Sequence, residues 1–120
     1  MLNNVIIIGR LTRQPEISTT LSGKQLCRFT VANDSGTKEK PDVGFYDVIA
    51  WGEKGEFVER YFSKGDPIIV SGKLHQSEYE DKTGAKRKRI EIIAREVEFT
   101  LAKKNAEQKI VFPGNEDLPF

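Results

Sequence analysis

Three aromatic side chains and a run of cations are the residues of this chain best suited to bind something. Phe45 and Trp51 stand six positions apart in Phe45-Tyr46-Asp47-Val48-Ile49-Ala50-Trp51, and Tyr79 precedes the basic set Lys82, Lys86, Arg87, Lys88 and Arg89. Arg10, Arg13, Lys24, Arg28 and Lys73 add charge elsewhere in the chain. Exposed rings offer stacking faces and cations neutralise phosphates, so this pairing suits a flexible polyanion that carries flat rings, namely single-stranded nucleic acid. Either half alone has a plainer reading. Two aromatics can pack under a loop or at a subunit contact, and a basic run can be a solvated hairpin tip.

Other chemistry finds little support. Cys27 is the only cysteine and His75 the only histidine, which excludes an internal disulfide and leaves neither a zinc site nor a Cys/His or Ser/His/Asp nucleophile set. Cys27 reads as a small core residue. Ser22-Gly23-Lys24 and Ser71-Gly72-Lys73 are fragments of a phosphate loop and fit turns or strand ends better. The carboxylates are scattered, so a metal-dependent nuclease is disfavoured. No enzyme, cofactor or metal is expected. The formal net charge is only +1; residues 1 to 102 hold 16 basic and 15 acidic groups and residues 103 to 120 hold three of each. Any binding field must therefore come from local clustering.

The elements that position these residues follow from periodicity. Apolar runs recur at short intervals between Gly, Pro, Asn and Asp, the spacing of a small all-β barrel or sandwich. Strands are expected over Asn4 to Leu11, Gln25 to Ala32, Phe45 to Trp51, Pro67 to Leu74, and His75 to Glu80 with Lys86 to Phe99. In the second, Cys27, Phe29 and Val31 make one apolar face. In the third, period two sets Phe45, Asp47, Ile49 and Trp51 against Tyr46, Val48 and Ala50, so a core built on Val48 and Ala50 turns the two large rings outward. Lys54 to Phe62 changes to helical spacing through Phe57, Val58, Tyr61 and Phe62. Three strands, one helix and further strands are the order of a five-stranded OB-fold barrel. At 120 residues the chain holds one domain, expected over 1–102, followed by a linker over 103–115 and a tip over 116–120. No apolar run approaches the roughly 20 residues of a membrane span, and a cytoplasmic protein is expected.

The same residues carry a family resemblance. Asn4-Val5-Ile6-Ile7-Ile8-Gly9-Arg10-Leu11-Thr12-Arg13-Gln14-Pro15-Glu16 closely resembles the opening of bacterial single-stranded DNA-binding proteins. So do Tyr46-Asp47-Val48-Ile49-Ala50-Trp51-Gly52, Phe57 through Gly65, Val70-Ser71-Gly72-Lys73-Leu74 and Tyr79 through Gly84, which with the opening span nearly all of residues 1–101 in the family's order. The resemblance implies a homotetramer that wraps single-stranded DNA without sequence preference and recruits replication, recombination and repair proteins through a C-terminal tip. It places the stacking aromatics on Phe45, Trp51 and Tyr79, the set that strand alternation and the basic run select. The alternative is a primosomal or RNA-binding adaptor on the same scaffold, whose relatives lack the tip.

This chain departs from the family in three ways. No aromatic stands among Asp34 to Val43 where well-known members have a further stacking tryptophan, the linker is brief and partly apolar, and only two acids precede the last apolar residues. In Asn115-Glu116-Asp117-Leu118-Pro119-Phe120, Leu118, Pro119 and Phe120 read as apolar anchors for a partner's pocket, with Glu116 and Asp117 meeting a basic rim.

Overall fold

The computed structural model describes residues 1–100, which form six strands and one helix: β1 (Val5–Leu11), β2 (Glu16–Thr19), β3 (Gln25–Asp34), β4 (Val43–Trp51), α1 (Glu53–Tyr61), β5 (Pro67–Glu80) and β6 (Lys86–Phe99). Five of the strands close into a ring in the order β1-β5-β6-β4-β3. Closure is made where β1 meets β3 through Arg10 opposite Ala32 and Leu11 opposite Val31. Every pairing is antiparallel except β4 with β6, which sets Val48 beside Ile92 and Ile49 beside Ile93. The short β2 lies outside the ring and pairs only with β3.

Alternation builds the interior. Cys27, Phe29 and Val31 from β3, Val48 and Ala50 from β4, Ile68 and Val70 from β5, and Ile92 and Ala94 from β6 all point inward and are buried. Helix α1 follows β4 at once and closes one end of the barrel with Val58, while Phe62, just past the helix, is also buried. Glu53 and Glu56 sit in its first turn and Arg60 in its last, charges that complement the helix dipole. Phe62 stacks on Phe99 at 5.1 Å, and Phe57 and Tyr61 complete the cluster, which ties the helix to the end of β6.

Two elements differ from the sequence expectation. The segments expected as Pro67 to Leu74 and His75 to Glu80 are one continuous strand, so His75 lies mid-strand, exposed, opposite Glu91. The strand does not break because its pairing with β6 runs on to Glu80 opposite Lys86; only the burial of one face ends, and the apolar pattern ends with it. A bulge between Ser71 and Gly72 marks that change. Strand β2 went unexpected because all four of its residues are exposed. The beyond-barrel parts of β5 and β6 form a two-stranded arm, turned by Asp81-Lys82-Thr83-Gly84 with Gly84 at φ 82°.

Candidate nucleic-acid interface

Cross-strand partners in a sheet share a face, which lets the register decide which side chains meet. On β4, Val48 and Ala50 point into the core, so Phe45, Asp47, Ile49 and Trp51 point out. Phe45 is 67% exposed and Trp51 40%. Ile49 is the exception at 5%, flanked by Arg28 on β3 and Ile93 on β6. On β5 and β6 the outward face carries Lys73, His75 and Tyr79 opposite Ile93, Glu91 and Arg87. All three sequence-selected aromatics therefore lie on one continuous outer face. Tyr79 is 43% exposed, and the Arg89 guanidinium sits 4.8 Å from its ring centroid, a cation–π contact that covers part of one face.

The expected cations do not behave as one set. Register splits the run Lys86 to Arg89: Arg87 and Arg89 share the face of Tyr79, whereas Lys86 and Lys88 pair with Glu80 and Glu78 on the opposite face of the arm. Arg87 donates through Nε to Asp81 Oδ2 at 2.9 Å. Arg10 donates to the Gly65 carbonyl at 3.0 Å, which fixes it near the barrel seam. Lys24 is in the turn between β2 and β3, and Lys82 in the turn at the arm's tip. Arg28 donates through Nη1 to Glu91 Oε2 at 2.8 Å. Glu91 is 5% exposed, the one charged side chain buried among the described residues.

Two clefts meet at this face, the second reaching round to the core-facing side at the base of the arm. One, of about 170 Å³, is lined by Arg13, Arg28, Arg89, Asp47 and Glu91 over Phe29 and Val48. The other, of about 290 Å³, is lined by Phe45, Tyr46, Leu74 and Ile90, with Asp47, Glu91 and Ile92. Asp47 and Glu91 belong to both, and Asp47 Oδ1 accepts from the Thr30 hydroxyl at 2.9 Å. Leu74 and Ile90 are 48% and 63% exposed apolar side chains that sequence reasoning did not select, because at the base of the arm the core-facing positions emerge into solvent. Glu91 was missed too. Its signal was legible, since a lone acid stands inside the apolar run Ile90-Glu91-Ile92-Ile93, directly before the buried Ile92.

Asp81 organises the arm's tip. Its carboxylate accepts from the Thr83 hydroxyl, from the backbone N–H groups of Thr83 and Ala85, and from Arg87. Those bonds, the Thr83 hydroxyl first and Arg87 next, hold its pKa down to about 2. Away from this face, Cys27 is fully buried, and loss of solvation pushes its thiol up to about 11. No three of His, Cys, Asp and Glu converge as metal ligands among the described residues. The tip residues Glu116, Asp117, Leu118, Pro119 and Phe120 and the linker lie outside the described residues.

A closed barrel of five strands in this order, with its helix between the third and fourth ring strands and an aromatic, cationic outer face, defines an OB-fold. Residues 2–100 match the single-strand binding protein family, and the chain belongs to it. It is 40% identical over 102 residues to a single-stranded DNA-binding protein of Treponema pallidum, a match covering 82% of this chain and 57% of that protein. A Fusobacterium nucleatum relative of the same name is 39% identical, over 85% of this chain and 69% of its own length. One from Thermotoga maritima is 37% identical, over 81% and 72%.

Proposed function

We propose that this protein binds single-stranded DNA without sequence preference, stacking bases on Phe45, Trp51 and Tyr79 and meeting phosphates with the cations around them. The observation that carries the reading is the placement of three exposed aromatics on one outer face, Tyr79 already under a guanidinium and Phe45 lining a cleft that shares Asp47 and Glu91 with the arginine-lined one. Stacking needs only a π face and so is indifferent to sequence, while the phosphate contacts make binding salt-dependent. The protein acts as a binding protein, not an enzyme, and works in the cytoplasm.

Assembly as a homotetramer belongs to the same reading. Ile6 and Ile8 on β1 are 66% and 55% exposed, and β1 pairs with β3 only at Arg10 and Leu11, with the Ile8 carbonyl accepting from the Asn33 side chain, so the edge from Val5 to Ile7 has backbone groups available to a second copy. Glu116 to Phe120 serve as the recruiting tip for replication, recombination and repair proteins.

Titration with oligo-dT tests the core of this proposal. Trp51 is the only tryptophan, so its fluorescence reports on the site directly. Quenching is expected; an unchanged signal at saturating DNA removes Trp51 from the interface. Light scattering with and without oligo-dT gives the subunit number. Deleting Leu118 to Phe120 is expected to leave DNA affinity intact or slightly raised and to abolish pull-down of partner proteins, and loss of folding would defeat the assignment of the tip.

A further inference from the structure

The arginine cleft contains an acid that DNA binding does not call for. Glu91 is 95% buried by its 5% exposure, yet its Oε2 meets Arg28 at 2.8 Å in a cleft that Arg13 and Arg89 also line. Arg28 itself is 42% exposed. A guanidinium presents five N–H donors in a rigid fork suited equally to carboxylate and phosphate. Glu91 also lines the neighbouring cleft with Phe45, so it stands between the stacking surface and the arginines.

We propose that the Glu91 carboxylate is an internal stand-in for a DNA phosphate: it holds Arg28 in place while the site is empty and competes with the incoming strand for that guanidinium. The proposal rests on the reading of this face as a single-stranded DNA site. In the free protein the Arg28 charge is already neutralised, so it adds little to the field that attracts DNA. A phosphate that takes Arg28 must displace a desolvated carboxylate, and that exchange holds affinity below what three arginines would give. Glu91 thereby favours release of the strand. Asp47 lines the same clefts but is held by the Thr30 hydroxyl rather than by an arginine, which makes it the charge-matched comparison.

The test measures binding of labelled oligo-dT across sodium chloride concentrations for the full chain, Glu91→Gln and Asp47→Asn. Glu91→Gln keeps the side chain's shape and is expected to bind about fivefold tighter at low salt, the scale of a partly exposed ion pair. Its log-log salt slope should steepen by about 0.7, one further phosphate neutralised on a single strand. Asp47→Asn should give a smaller gain and no such change in slope. Weaker or unchanged binding by Glu91→Gln overturns the proposal, as does an equal gain from Asp47→Asn, which would reduce the effect to general loss of negative charge. The wild-type protein supplies a second measurement independent of how the variants fold. The carbon-13 resonance of the Glu91 carboxyl should move when oligo-dT is added, and a fixed resonance alongside Trp51 quenching overturns the exchange. Failure of the wild type to bind at all would instead defeat the DNA-binding reading, and this proposal with it.

Discussion

Replacing Gly9 by alanine tests how the barrel closes. Gly9 lies on β1 one residue before the pair Arg10–Ala32 that joins the first and last strands of the ring. A Cβ at this position would press on the Ala32 carbonyl oxygen and stand 2.6 Å from Val31 Cγ1. Ordinary contact begins at 3.4 Å, so β1 and β3 must part by roughly 0.8 Å at Val31 alone. Val31 is fully buried and Ala32 offers main chain, so neither yields cheaply. Overpacking of this kind costs about 1–3 kcal/mol. Gly9 has no positive φ, so alanine recovers about 0.4–1 kcal/mol by restricting the unfolded chain. The net loss is about 1.3 kcal/mol, which at about 4–8 °C per kcal/mol for a domain of this size lowers Tm by about 5–10 °C. Circular dichroism melts at one fixed protein concentration measure it, since association shifts Tm. Gly84→Ala is the comparison: nothing lies within 4 Å of its Cβ and φ is +82°, so only about 1 kcal/mol of backbone strain is expected. A Gly9→Ala melt within 2 °C of wild type, or less affected than Gly84→Ala, would refute the argument from close approach.

Further outcomes follow from the site and its supports. Phe45→Ala and Trp51→Ala should each weaken oligo-dT binding about tenfold, within the roughly 1–3 kcal/mol per base established for this class of barrels; light scattering should show the oligomer intact, and dissociation would instead assign the rings to a subunit contact. The Asp81 carboxyl titrates at about 2 when folded and near 3.8 when free, so its hold on the arm's tip is complete above about pH 4 and is lost as pH falls through 2. Hydrogen exchange at the Thr83 and Ala85 amides should follow that window, and in Asp81→Asn their protection should fall at neutral pH. Cys27, buried with its thiol raised to about 11, should resist a disulfide reagent at pH 8 until denaturant is added. Prompt labelling of the native protein would place the thiol outside the core.

The sequence showed most of the barrel because a half-buried strand writes its geometry into alternate residues. Cys27, Phe29 and Val31 read as one face and are one face, and the same alternation turned Phe45 and Trp51 outward. Where neither face is buried the code is silent. Strand β2 has no buried residue, and β5 beyond Gly72 is exposed or half-exposed throughout, so one strand was missed and the other divided. The aromatic part of the site was therefore legible and the polar part only partly so. Lys86 to Arg89 form one run in sequence but two faces in register, which becomes visible only when Tyr79 is set opposite Arg87. The ion pair of Arg28 with Glu91 joins residues 63 positions apart, and no local pattern announces it.

The placement of β1 in the ring also constrains how the chain is made. Its Val5-Ile6-Ile7-Ile8 run finds its hydrogen-bonding partner in Ile69 to Gly72, the far side of four intervening elements. At translation rates of about 5–20 residues per second, β1 waits roughly 3–13 seconds after synthesis for that partner to be made. Contacts of such long separation also place barrel closure late and make it slow. For that interval the nascent chain carries an unpaired, wholly apolar β-branched edge, and whatever shields it then decides the yield of folded protein as much as the stability of the finished barrel does.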